Sequence, residues 1–527
     1  MALHALVFLA CLTPSVIVGL TGIGRPYDAI PDQDLLWASE ALRLIRGVAP
    51  SYADHPGAFW TLLYQFNIHL AESLGRGGTL NALGQITPTG IQSVIQTARV
   101  ENAALSGLCA YLVFPASRCL HISRATAVAI AVTTAFSSAI LVGVSEIRHE
   151  TISMAFLLLY VATFLSALRR PKGSKPRIAL TILSVILFFS AGFCKNQALL
   201  LSPLVFASTL GIAYKDNQAV IKPWADTAHA RPYQSILAPL AASSLPWLIS
   251  ASPDIDLINL PFWITINSGL ACSISIGLFN KLSPRYFYRS LALLGTFEII
   301  LFKIFIPQWW RQAITGFPSW MFRYAHTVED RSIGLLEQTT RGIETYFPHL
   351  FTPSGIAFIA FSALLALSVL ALISHFSALT RGSQQARSMA LSNSQLITWA
   401  WPLCWLSLIA SSQRAAPRYE IYILIPILMA AAATLSRHRK LYEPKKRDAI
   451  ALIATTCSAL LISTAALRSV ANAQNLSSFV NAGQARDSLC IGHHMDRTMQ
   501  LTSAGKCKVF QQGARDKDVY DSWNGPR

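Results

Sequence analysis

The chain has 527 residues, of which 53% are hydrophobic and 13% charged, with a mean hydropathy of +0.42. An ordinary soluble domain carries roughly a quarter charged residues, so this composition excludes one and indicates an integral membrane protein. The net charge of +17 is spread over short loops between apolar runs; that is the positive-inside pattern of a membrane protein rather than the basic face of a nucleic-acid binder.

Residues 3–22 form the first apolar run. They lack a basic leader and an Ala-x-Ala-like cleavage site, and read as a retained span rather than a signal peptide. A first loop, 23–90, follows. It carries Asp32-Gln33-Asp34, then Trp37 in a short amphipathic helix, then Asp54-His55-Pro56-Gly57. Further runs long enough to cross the bilayer are expected at 91–114, 125–144, 151–168, 178–194, 197–214, 235–252, 257–280, 288–306, 354–375, 394–411, 419–436 and 449–467, about thirteen spans with the first. Residues 56–74 contain Gln65, Asn67, His69 and Glu72 and are expected to lie at, or dip into, the outer interface instead of crossing.

Loop charge sets the orientation. The clusters Arg169 to Arg177 and Arg437 to Arg447 are the most basic and are expected on the cytoplasmic side. The same count puts the loops near Arg118, Lys281 and Arg381 inside with them. The outer face then gathers Asp32, Asp34, Asp54 and His55, the Glu146-Ile-Arg148-His149-Glu150 cluster, Lys195, a long loop 307–353 with Trp309, Trp310, Trp320 and Arg323, and Arg414 to Tyr419. Trp309 and Trp310 fit an interfacial aromatic belt equally well. Most of the nine cysteines sit in apolar runs, none in a Cys-x-x-Cys pair, and they read as packing residues. Glu298 and Lys303 fall inside an expected span with no assigned role.

The order Asp32-x-Asp34, Trp37, Gly47, His55-Pro56-Gly57, Ala98-Arg99 and Ser145-Glu-Ile-Arg148-His-Glu150 resembles the GT-C superfamily of polytopic glycosyltransferases, in particular the protein O-mannosyltransferase and aminoarabinose transferase branch. Phe193-Cys-Lys195-Asn-Gln197 is similar to that family's Lys-containing outer turn, and Pro417-Arg418-Tyr419 to its late Arg-Tyr motif. The match covers about the first 200 residues and continues mainly as topology. Two departures stand out: Gln33 separates acids that the family usually places side by side, and Gly57 stands where a second proline is common.

The resemblance implies an all-α bundle of about thirteen transmembrane helices with outer-face juxtamembrane helices, spanning 1–470, in a bacterial inner membrane and with its active site on the extracytoplasmic face. It implies cell-envelope glycosylation: an inverting transfer of a sugar from a polyprenyl-phosphate carrier to a lipid, polysaccharide or protein acceptor. Such chemistry needs a carboxylate within reach of the acceptor proton and cations where the departing phosphate gains charge. Matching the family's spacing to Trp37 makes Asp34 the first choice for base and Asp32 the second, with a helix N-cap as the competing reading of Asp32. Glu150 is expected to orient the acceptor or share a divalent cation with the aspartates, or else to be a first-turn acid favoured by the helix dipole. Arg148, Lys195, Arg414 and Arg418 are the phosphate-binding candidates, each also readable as a snorkelling boundary residue. His55 and His149 are the metal-ligand candidates beside the acids, and no cofactor is certain.

A lipid-linked-sugar flippase or transporter, or a non-catalytic membrane scaffold, is the alternative class. The charges gather at one face and the halves show no repeat, whereas transporters place ionisable groups near the midplane between repeats. Residues 471–527 form a polar tail, expected outside, in which Cys490 and Cys507 are candidates for a disulfide.

Overall fold

A computed structural model describes residues 2–23, 36–45, 58–74, 88–144, 147–195, 197–202, 205–206, 209–210, 259–301 and 421–437. Every element among them is helical: α1 (Ala2–Ile23), α2 (Leu36–Ile45), α3 (Ala58–Ser73), α4 (Pro88–Cys119), α5 (Arg124–Ala135), α6 (Ser138–Val144), α7 (His149–Leu168), α8 (Lys175–Cys194), α9 (Gln197–Leu200), α10 (Asn259–Leu278), α11 (Pro284–Ile299) and α12 (Ile421–Arg437). Three segments, Ala2–Leu20, His149–Leu168 and Lys175–Cys194, are long and apolar enough to cross a membrane. The expected spans at 235–252, 354–375, 394–411 and 449–467, the loop 307–353 and the tail 471–527 lie outside the described residues.

Contacts at matched heights give the helix directions. His4 of α1 packs its ring against Phe114 at 5.0 Å, Leu12 lies against Gly107, and the Arg99 guanidinium donates to the carbonyls of Gly22 and Ile23 at 3.3 and 3.5 Å. α1 and α4 are therefore antiparallel, with the end of α1 and the start of α4 on the same side of the bundle. A Cβ at Gly107 would sit 2.8 Å from the Leu12 Cα, so a hydrogen there lets the two backbones close up. Arg99 is fully buried and cancels the orphan carbonyls and negative dipole end of α1.

α5 and α6 return beside α4, and α7 then runs parallel to it. Ser106 of α4 hydrogen-bonds Thr151 near the start of α7, while Cys119 at the end of α4 meets Ser166 near the end of α7. The expected continuous span 125–144 is broken at Phe136 and Ser137. The Ser137 hydroxyl donates to the Thr134 carbonyl, and a serine bonding back to the turn competes with the helical ladder. α7 and α8 are antiparallel neighbours whose Tyr160 and Phe188 rings meet edge to face at 5.5 Å. α10 and α11 add to the side of α8, and α12 packs on α5 and α7.

α3 has 16 residues, about 24 Å of helix, and falls short of the roughly 30 Å hydrocarbon layer. Trp60, Tyr64 and Ile68 face inward, whereas Leu62, Phe66, Leu70 and Leu74 form an exposed apolar stripe on the other side. The buried part of α3 is pinned by Asn67, which donates to the Glu101 carboxylate on α4 at 2.9 Å.

The two ends of the bundle differ in chemistry. One carries the turns 119–124, 169–175 and 279–284, rich in exposed arginine and lysine. Here α4 stops in a Schellman motif with His121 left-handed at φ 62: Ile122 donates to the Ser117 carbonyl and His121 to that of Arg118. The opposite end collects the last turn of α1, the first turn of α7, the last turn of α8 and the first turn of α12.

Candidate functional site

At this second end, Trp37, Ala38, Glu40 and Ala41 form the buried face of α2, at the spacing an amphipathic helix requires. α2 and α3 pack together into a small apolar cluster of their own, separate from the main core. It joins Trp37, Ala41, Trp60 and Tyr64 to Ile147, Ile152 and Cys194. The result is a cover of two short helices laid against the junction of α4, α7 and α8.

Under that cover the chain enters α7 through Arg148, whose extended backbone (φ −126, ψ 136) is the N-cap. Two groups fix this entry. Asn102, buried in α4, donates its amide to the carbonyls of Gly143 and Val144 at 2.9 and 3.1 Å and accepts the Arg148 N–H at 3.5 Å. Trp60 of α3 donates its indole N–H to the Arg148 carbonyl at 3.0 Å. One polar side chain thus ties the end of α6 to the start of α7, and the cover ties itself to the same residue.

The next two residues face inward. His149 is 1% exposed and meets the Trp37 ring edge-on, centroids 4.2 Å apart at 83°. Glu150 lies in the first turn of α7, where the dipole favours a carboxylate, and it also forms a buried ion pair. Its Oε1 is 3.5 Å from Nζ of Lys195, with both side chains only 5% exposed. Lys195 closes α8: its N–H donates to the Ala191 carbonyl, and its carbonyl accepts from Ala198. The apolar shell lowers the local dielectric, so each charge of this pair depends on the other.

α12 reaches the same place. Ser153, one turn beyond Glu150, donates to the Glu150 carbonyl at 3.0 Å, and its hydroxyl also hydrogen-bonds that of Tyr422. A residue 269 positions away in sequence therefore touches the turn that carries Glu150.

Of the residues singled out from the sequence, the structure brings together Trp37, Arg148, His149, Glu150 and Lys195. Asp32, Asp34, His55, Arg414 and Arg418 lie outside the described residues. Among the described residues no group of three or more His, Cys, Asp or Glu side chains converges to hold a metal. Sequence reasoning gave no role to Asn102, Trp60 or Tyr422. Asn102 carried a signal, an amide inside the expected span 91–114, whereas nothing near Tyr422 distinguished it from a boundary tyrosine.

The fold and site define an all-helical bundle with one basic end and one covered, ion-paired end. No protein-family model matches the sequence, and no curated protein matches it.

Proposed function

We propose that the chain is a multi-pass membrane glycosyltransferase that moves a sugar from a polyprenyl-phosphate carrier to an acceptor at the covered end of the bundle. The observation that carries this reading is the buried Glu150–Lys195 pair, held beneath α2 and α3 at the end where the first loop leaves α1. A carboxylate and an ammonium meeting there supply the two charges that the transfer needs: one toward an acceptor hydroxyl, the other toward a departing phosphate.

Covalent reach supports assembling the remaining candidates at the same end. Asp34 is three residues from Trp37, so their Cα atoms lie within about 11 Å of each other. Arg418 is four residues from Tyr422, a reach of about 14 Å. In this mechanism Asp34, with Asp32 as its partner, takes the proton from the acceptor hydroxyl, and that oxygen attacks the anomeric carbon from the face opposite the phosphate. Arg148, Lys195, Arg414 and Arg418 receive the polyprenyl phosphate as its glycosidic bond breaks. Glu150 holds Lys195 in place and, when the phosphate draws Lys195 away, accepts from the acceptor. The exposed stripe of Leu62, Phe66, Leu70 and Leu74 suits α3 to the lipid boundary, so a carrier can keep its tail in the bilayer while its headgroup reaches the site.

The topology proposed with this function is about thirteen spans, with the basic turns cytoplasmic and the covered end extracytoplasmic. The test is to incubate the full chain, purified in detergent, with polyprenyl-phosphate hexoses and an extract of cell-envelope acceptors, and to reconstitute the same protein in liposomes. Transfer of sugar with release of polyprenyl phosphate supports the proposal. Movement of the lipid across the liposome membrane without transfer replaces it with a flippase.

A further inference from the structure

The transfer chemistry makes no use of the opposite end of the bundle, and the charge there is one-sided. The turn between α7 and α8 exposes Arg169, Arg170, Lys172 and Lys175, and the turn leading into α11 exposes Lys281, Arg285 and Arg289. Among the described residues of these turns and their flanking helix ends there is no aspartate or glutamate. Cations gathered in this way repel one another, and an anion held against them relieves that repulsion.

The two turns form one surface because a buried residue joins them. Arg177 of α8 donates from Nε to the Gly277 carbonyl at 2.9 Å, and from Nη2 to the Ile276 carbonyl at 2.7 Å and Asn280 Oδ1 at 3.1 Å. Its Nη1 reaches the Arg170 carbonyl at 3.5 Å. That guanidinium is occupied in capping α10 and holding the neighbouring turn, and it leaves the exposed cations around it facing outward. Asn280 stands in the left-handed region at φ 54, where asparagine is tolerated, and it ends α10 abruptly enough to present Lys281.

Aromatic rings interleave with these charges. Phe279 and Tyr286 stack at 5.3 Å, and the Arg289 guanidinium lies 5.9 Å from the Tyr286 ring centre. Arginine and lysine beside half-buried tyrosines, at the same end as the basic turn between α7 and α8, two helices apolar enough to cross a membrane, match the chemistry of the phosphate layer of a bilayer.

We propose that this basic end is a docking surface for anionic phospholipid headgroups, gathered by the joined turns 169–175 and 279–289. The inference rests on the bilayer embedding and is independent of sugar transfer. Each cation near an anionic surface contributes on the order of a fivefold gain in affinity.

The experiment reconstitutes the full chain in phosphatidylcholine bilayers containing spin-labelled phosphatidylglycerol or spin-labelled phosphatidylcholine, and reads the fraction of label immobilised by the protein. The expected result is several-fold preference for phosphatidylglycerol, falling toward none in about 1 M salt, where the Debye length is about 3 Å, and unaffected by millimolar inorganic phosphate. Lys172→Gln with Lys175→Gln lowers the preference, and adding Lys281→Gln and Arg285→Gln removes most of it. All four side chains are exposed, so these variants keep the fold, as checked by circular dichroism and size exclusion. Equal immobilisation of the two lipids, a preference that survives all four substitutions, or displacement by inorganic phosphate overturns the proposal. Sugar transfer measured on the same preparations separates failure here from failure of the transferase reading.

Discussion

Glu150 and Lys195 stand 3.5 Å apart at the facing ends of two antiparallel helices, in a setting that admits almost no water. Removing water raises the value of their attraction and also the cost of breaking it unevenly, because a buried charge that loses its opposite charge does not regain its hydration. Lys195→Met is therefore expected to destabilise the protein by about 3–5 kcal/mol. Glu150→Gln combined with Lys195→Met removes both charges and is expected to recover most of that loss. Reversible unfolding in mixed micelles, taken as a double-mutant cycle, measures both. Additive single effects would mean that the two charges do not interact.

Asn102 makes a second prediction, because it serves three backbone groups at once. Asn102→Leu keeps the volume but orphans the carbonyls of Gly143 and Val144 and the N–H of Arg148, at about 1–3 kcal/mol for each group left buried without a partner. Hydrogen exchange should show the Arg148 amide opening faster while amides in the middle of α8 stay protected. Uniform loss of protection across both helices would point to global unfolding instead of a local release of the α6–α7 entry.

The bundle directions predict sidedness directly. Ser73 at the exposed end of α3 and Lys172 in the α7–α8 turn belong to opposite ends. Ser73→Cys and Lys172→Cys, each made in a background in which the native cysteines are replaced, should react with a membrane-impermeant maleimide from opposite sides of sealed vesicles. Labelling of both from one side would contradict the antiparallel reading of α1 and α4 together with the parallel reading of α4 and α7.

Much of this arrangement was legible in the sequence because the determinants are local. The acids and amides of 56–74 argued against a full span, and α3 is a 16-residue helix, shorter than the hydrocarbon layer, with one side buried and an apolar stripe exposed on the other. Trp37 was visible at the head of an amphipathic pattern, and Glu150 before an apolar run and Lys195 after one were visible as polar residues at the edges of membrane-length segments. One helix break was harder to read. The stop at Phe136 and Ser137 depends on a serine turning back to its own helix, a choice that the apolar run 125–144 does not reveal. Long-range partners were not legible at all. Tyr422 meets Ser153 because α12 packs against α7, and Arg99 finds the end of α1 because two glycine-assisted helices cross closely; neither follows from a spacing along the chain.

The account turns on carboxylate chemistry at the covered end, and the most direct measurement is single-turnover transfer from a polyprenyl-phosphate hexose by the wild type and by Asp34→Asn, Asp32→Asn and the double variant. A positioned base contributes about 10²–10⁴-fold, so the double variant is expected to lose at least about a hundredfold in rate while binding the carrier with near-normal affinity. Wild-type protein that transfers no sugar from any such donor, or a double variant that transfers as fast as wild type, would contradict it.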